Sequence, residues 1–273
     1  MSRAARMLLL HAALIVGAAL TLTPLVWMAC ASLMPSGDAS TFPPPFLPRT
    51  VTFAHYHDLL TRLALARDFG NSVLLAVSVT ALSTLVNALA GYGFAKLRFA
   101  GRERLFSLLL AGLVVPVQVT MLPLFLEMRA LHLVNHYGAV IIPGMASIFG
   151  IFLVRQYALG IPDELLDAAR VDGASEGRIF WTLAMPLLRP ILVTLALFTF
   201  MGTWNDFLWP LVVLSDDRKY TLPVALANLV GEHVQDTELM MAGAVVTVIP
   251  VLVLFLLLQR AYVRGLMVGG VKG

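Results

Sequence analysis

Residues 160–190 read GIPDELLDAARVDGASEGRIFWTLAMPLLRP, and the rest of the chain is organised around them. The stretch is charged and helix-like, with apolar runs on both sides. Pro162 suits the first position of a helix, where a missing N–H costs nothing. Asp163 and Glu164 follow in the first turn, where negative charge complements the positive end of the helix dipole. Leu165, Leu166 and Ala169 recur at helical spacing on one side, and Asp163, Asp167 and Arg170 on another. Gly173 stands where a helix stops and Ser175 where a second one starts. Pro186 and Pro190 mark the passage into the next apolar run. The expectation is two short amphipathic helices with a glycine elbow, set between two membrane spans. The pattern leaves two readings open: a solvated loop on the lipid surface, or a hairpin whose apolar stripe docks on another chain.

Composition places the chain in a membrane. Of 273 residues, 59% are hydrophobic and 13% charged, with mean hydropathy +0.85. Soluble domains average about a quarter charged. The net charge of +3 is therefore a matter of where Lys and Arg lie relative to the bilayer, not a nucleic-acid signal. A single cysteine, Cys30, excludes a disulfide within the chain.

Crossing the hydrocarbon takes about 20 apolar residues. Six segments qualify: 8–33, 70–95, 105–127, 138–159, 187–214 and 241–260. Arg3 and Arg6 ahead of the first resemble a signal peptide, but the run is too long and lacks a small-residue cleavage site, so it reads as a retained span. Small residues recur through the second (Ala76, Ser78, Ala81, Ser83, Ala88, Ala90, Gly91, Gly93), which suits close helix packing. The fold class expected is an all-α integral membrane protein of six transmembrane helices, one domain over 1–273.

Orientation follows from the basic residues. Thirteen lie before the first span, between the second and third, around 160–190, and after the sixth. The other six are Arg49, Arg62, Arg67, Arg129, Arg218 and Lys219. The positive-inside rule puts both termini and the 160–190 loop in the cytoplasm, and 34–69, 128–137 and 215–240 outside. The first outer loop is proline-rich (TFPPPFLPRT), a stiff extended spacer. The last is acidic, which suits either contact with a soluble partner or a solvated loop.

Enzyme chemistry finds little support. The chain has no GxxxxGK[ST] phosphate loop, no GxSxG and no HExxH. His132 and His136 have the spacing of a metal pair without a third ligand, and His55 and His57 read as surface residues. Polar groups at membrane depth are costly and so are functional candidates. They are Asn71, Asn87, Gln118 and the cluster Trp204-Asn205-Asp206. The cluster has two readings: a carboxylate and an amide beside aromatic rings lining a path for a polyol, or helix caps near the outer interface with Trp204 and Trp209 in the aromatic belt.

Asp167-Ala168-Ala169, then Gly173, Ile179 and Met185-Pro186, resemble the EAA loop of ABC importer permeases, with Asp in place of the usual Glu. Phe69-Gly70-Asn71-Ser72, Tyr92-Gly93-Phe94-Ala95, Trp204 to Leu211, Tyr220 to Pro223 and Gln259 to Gly265 are similar to carbohydrate-type permeases, in pattern to the smaller membrane subunit of the maltose importer. The resemblance implies a type I ABC importer permease fold in a bacterial inner membrane. It implies a heterodimer with a second permease, a pair of cytoplasmic ATPases that bind ATP and Mg, and an extracytoplasmic binding protein that delivers a sugar. No cofactor is expected on this chain. The coupling residues implied are Glu164, Leu165, Asp167, Ala168, Ala169, Asp172, Gly173, Ile179, Phe180 and Pro186. The tail, with Gly269, Gly270 and Lys272, would reach toward the ATPases. Asn71, Gln118, Trp204, Asn205 and Asp206 are candidates for the translocation path. Two other classes compete. A stand-alone channel or secondary transporter needs a selectivity ring or inverted repeats. An intramembrane enzyme needs a catalytic partner for Asp206. No span carries a central Lys or Arg, which favours a neutral substrate over an anionic one.

Overall fold

The computed structural model describes residues 2–61, 64–232 and 236–270. Every regular element among them is helical: α1 (Arg3–Ala31), α2 (Ala54–Thr61), α3 (Leu65–Lys96), α4 (Arg102–Ala111), α5 (Val117–Ala130), α6 (Gly138–Gly144), α7 (Ile148–Ala158), α8 (Asp163–Val171), α9 (Glu176–Ile179), α10 (Met185–Trp204), α11 (Leu208–Val213), α12 (Leu222–Glu232) and α13 (Thr237–Gly270). Short 3₁₀ turns follow α4 and precede α12. Among the described residues five stretches are long and apolar enough to cross a bilayer: Ala5–Ala31, Leu65–Lys96, Gly138–Ala158, Glu176–Trp204 and Thr237–Leu257. A sixth is a broken pair, Arg102–Val114 and Val117–Ala130, bent by 108°.

That break falls inside the segment read from the sequence as one span at 105–127. Pro116 has no N–H to give, and its ring pushes Val115 out of the helical region, to φ −78° and ψ 119°. A second difference lies in 187–214. The helix begins earlier, at Glu176, ends at Trp204, and resumes as the short α11. Pro186 and Pro190 do not interrupt it. A π turn over Phe180–Ala184, closed by the Met185 N–H on the Phe180 carbonyl, lies immediately before Pro186. The wide turn makes room at the point where a proline ring would crowd the preceding turn.

Contacts divide the chain into two compact units, Met1–Arg67 with Ala225–Pro250, and Asp68–Val224 with Val251–Gly273. In the first unit Met241 of α13 packs against Ala31, Met34 and Ala39. The Ala39 N–H donates to Glu238 Oε1 at 2.6 Å, and a His55 ring nitrogen meets the Met34 carbonyl at 2.9 Å. His55, expected at the surface, is buried because this carbonyl and Asp236, 3.9 Å away, give its ring polar partners.

In the second unit α3 packs on the α6–α7 rod through glycines. A Cβ on Gly91 would lie 2.6 Å from Val154 Cβ and 2.9 Å from the Arg155 backbone nitrogen. A Cβ on Gly144 would lie 2.7 Å from Val79. Small residues let helix backbones approach where lipid supplies no hydrophobic drive for association. Asn87, fully buried, staples the same interface: Nδ2 donates to Ser83 Oγ at 2.8 Å and Oδ1 accepts from the Ser147 N–H at 3.0 Å. Hydroxyls within the apolar helices bond back to their own backbone, as Thr21 does to Gly17, Thr23 to Ala19 and Thr194 to Pro190. In hydrocarbon an unsatisfied polar group costs several kcal/mol.

Candidate functional site

The 160–190 hairpin is locked to its own bundle. Leu166, Ile179, Phe180, Ala184 and Leu188 are buried in one core with Tyr92, Val154, Ala158 and Ile161. The Phe180 and Tyr92 rings lie 5.3 Å apart. Lys96, at the end of α3, donates to the Ile161 carbonyl and to Asp163 Oδ1, both at 2.6 Å. That hydrogen bond, with the charge behind it, holds the Asp163 carboxyl below the usual carboxylate range. Pro162 caps α8 instead of starting it, one residue away from the sequence expectation.

The elbow is a Schellman turn. Gly173 has φ +81°. Its N–H donates to Arg170 and the Ala174 N–H to Ala169, each at 3.0 Å. This pairing satisfies carbonyls that the end of α8 leaves open. Ser175 Oγ accepts from the Arg178 N–H and caps α9. Arg170 bridges the elbow, reaching Asp167 Oδ1 and Glu176 Oε1 at 2.6 Å each.

The apolar stripe is not the one grouped from the sequence. Leu166 and Ala169 face inward, while Leu165 is turned out with Ala168. Leu165 stays 42% exposed, Val171 87% and Trp181 55%. Helical geometry at 100° per residue sets Leu165, Ala168 and Asp172 along one line, with Val171 beside it. Glu164, Asp167, Asp172, Gly173 and Pro186 are also exposed. The hairpin thus has two apolar faces, one satisfied by its own chain and one open.

The polar residues singled out at membrane depth separate into two groups. Asn71 is wholly engaged: Nδ2 donates to the Arg218 and Tyr220 carbonyls, both at 2.9 Å, and Oδ1 accepts from the Tyr137 hydroxyl at 2.7 Å. Trp204 is buried, stacked on Phe200 at 5.8 Å and edge-on to Phe69 at 5.6 Å, so it does not stand in a lipid-facing belt. Asn205 ends α10 and donates to the Met201 carbonyl at 2.9 Å. Gln118 and Asp206, by contrast, line one cavity of about 410 Å³, with Thr120, Thr203 and Trp209. The Trp209 indole is held by its Nε1–H on the Ala139 carbonyl at 2.9 Å. Gly269 and Gly270 are the last residues of α13, and Lys272 lies outside the described residues. Among the described residues no cluster of metal-ligating side chains forms around His132 or His136.

Sequence reasoning missed Thr120 and Thr203, hydroxyls that lie close to the polar residues it did single out, Gln118 and Trp204-Asn205-Asp206. It also missed Asn135, whose side-chain oxygen accepts from the Ser215 and Asp216 N–H groups and whose carbonyl takes Lys219. The sequence showed only an asparagine in a short loop; the structure adds that its φ is +62°, a region that asparagine tolerates.

Membrane-length helices broken around a cavity that holds Gln118 and Asp206, with an anchored hairpin that keeps one apolar face open, fit a membrane transport subunit. Residues 85–268 match the binding-protein-dependent transport system inner membrane component family, and the chain belongs to that family. It is 42% identical to the arabinooligosaccharides transport system permease protein of Halalkalibacterium halodurans, over 84% of this chain and 82% of that one. It is 34% identical to the lactose transport system permease protein of Rhizobium radiobacter, over 96% and 95%. A solved bacterial ABC transporter involved in the import of the acidic polysaccharide alginate aligns with TM-score 0.82 and 25% identity, covering 95% of this chain and 98% of that one. This membership favours an importer permease over a channel or secondary transporter working alone.

Proposed function

We propose that the chain is one of two unlike permease subunits of an ATP-driven importer for neutral saccharides in a bacterial inner membrane. A solute-binding protein delivers the sugar outside, and paired ATPases that carry ATP and Mg drive the cycle inside. The observation that carries the reading is the hairpin's open face of Leu165, Ala168 and Val171, on a loop otherwise locked by Leu166 and Lys96. A handle of this kind transmits force only if it is stiff toward its own bundle and open toward the motor. ATP binding shifts a two-state equilibrium, and the contact must differ in energy between the states. Glu164, Asp167, Asp172 and Gly173 border that face. Ile179, Phe180 and Pro186 join it to α10, which leads to the cavity at Thr203. The charge distribution supports cytoplasmic termini, with the α13 tail, including Gly269, Gly270 and Lys272, on the ATPase side. Relatives named for arabinooligosaccharides and lactose support the saccharide assignment.

The test is Val171→Asp, paired with Ala168→Arg, in the assembled transporter. Both side chains are exposed, so folding and insertion tolerate the changes. The expected result is loss of sugar uptake and of binding-protein-stimulated ATP hydrolysis, with the permease pair still present in membranes. Wild-type uptake from both variants would overturn the proposal.

A further inference from the structure

Three helix breaks converge on one place. They are Val115–Pro116 between the 3₁₀ turn after α4 and α5, Met145–Ser147 between α6 and α7, and Asn205–Phe207 between α10 and α11. Non-helical backbone at membrane depth is tolerated only where it is buried in protein or lines a watery cavity. The 410 Å³ cavity is lined by Asp206 of the third break and by Val117 and Gly144, which adjoin the other two. A second cavity, of about 310 Å³, shares Val79, Gly144, Thr203 and Asp206 with it and continues to Ser147 and Thr199. The two therefore form one track with Asp206 and Thr203 at the junction.

The track's chemistry is uneven in an informative way. Its polar groups are hydroxyls, one amide and one carboxylate, and neither cavity is lined by Lys, Arg or His. Each half also carries aromatic rings: Trp209 in the first, and in the second Phe149 and Phe198, edge to face at 6.5 Å. A carboxylate accepts hydrogen bonds from vicinal hydroxyls, and rings cover the C–H faces of a sugar. Asp206 Oδ1 accepts from the Trp209 backbone N–H at 3.4 Å, but no lining cation offsets the carboxylate, so an anion there would be buried beside a like charge, which is costly.

Resting on the permease reading above, we infer that this track is a subsite for one neutral sugar unit in transit, with Asp206 as its selecting group and Thr203 at its waist. Thr199 and Gln118 mark its two ends. Trp204, Asn205 and Asn71 hold the surrounding helices and do not touch the sugar.

Cys30 is the one cysteine, which makes a direct test possible. In the complete transporter on a Cys30→Ala background, Thr203→Cys and Thr199→Cys are treated with a hydrophilic charged thiol reagent. Leu122→Cys, 67% exposed on α5 and outside both cavities, is the control. Labelling at 203 and 199, at least tenfold faster than at 122 and slowed by whichever of an arabinooligosaccharide, lactose or a maltooligosaccharide the wild type imports, is the expected result. Asp206→Asn is expected to raise the KM for that sugar threefold or more and to lower discrimination against an oligouronate. Equal labelling at all three positions, or labelling indifferent to the imported sugar, would overturn the subsite. Failure of the parent transporter to import any of the three sugars would instead overturn the saccharide reading, so the two failures are distinct.

Discussion

Replacing Gly173 gives a clean measure of how rigid the hairpin must be. Its φ of +81° is a left-handed conformation, and a Cβ built there meets nothing within 4 Å. The penalty for a side chain therefore comes from its own backbone, with no clash against the rest of the fold. For alanine it is about 1–2 kcal/mol. It is smaller for asparagine, which visits that region readily, and larger for a β-branched residue. One or two kcal/mol corresponds to a factor of roughly 5–30 in an equilibrium. The turn's two hydrogen bonds, from the N–H groups of residues 173 and 174, report that equilibrium directly. Hydrogen exchange of these amides in the intact transporter should quicken in the order Gly, Asn, Ala, Val, with Ala about tenfold faster than Gly. Sugar uptake should fall in the same order, because a loose elbow absorbs motion meant for the bundle. Exchange from Gly173→Val as slow as from wild type would refute the reasoning. So would full uptake from a Val variant whose turn had opened.

Two further outcomes follow from named contacts. Asn87→Leu takes the acceptor from the part-buried Ser147 N–H and should cost about 1–3 kcal/mol; thermal unfolding of the purified complex measures it, and an unchanged midpoint would contradict the staple. The Asp163 carboxyl, held low by Lys96, contributes stability that is present above the ordinary carboxylate range and lost as pH falls through its depressed folded value. Protease sensitivity of 160–175 should therefore be flat from pH 5 to 8 and rise only in stronger acid. Lys96→Met should make the segment sensitive at every pH; a titration centred near neutrality would contradict this.

Much of the arrangement was legible in residues 160–190 because its determinants are local. A glycine at a helix end, a serine three residues before a backbone N–H it accepts from, and acids in a first turn act within one or two turns of chain. Pro162 missed its place by one residue because its fixed φ near −60° fits both positions, although at the cap it offers no side-chain hydrogen bond. The number of long apolar runs was readable too, since bilayer thickness sets a minimum length regardless of what packs on what, but the bounds of the third and fifth were not.

The sequence by itself determined that the chain is a helical membrane protein with a charged hairpin and polar residues at depth. It could not determine which face of the hairpin was already taken. Leu165 and Leu166 are equally apolar neighbours, and only the core built by Tyr92, Val154 and Phe180 decides that Leu166 turns in and Leu165 out. Nor could it sort the deep polar groups. Asn71 and Gln118 look alike as amides in apolar runs, yet Asn71 meets carbonyls about 150 positions away and Gln118 faces a cavity. Hydrogen-bond satisfaction is a property of what the fold brings within 3 Å, and residues far apart in the chain supply it. The sequence reading ran straight through Pro116 as one span, and that three breaks border one cavity was decided by helix packing.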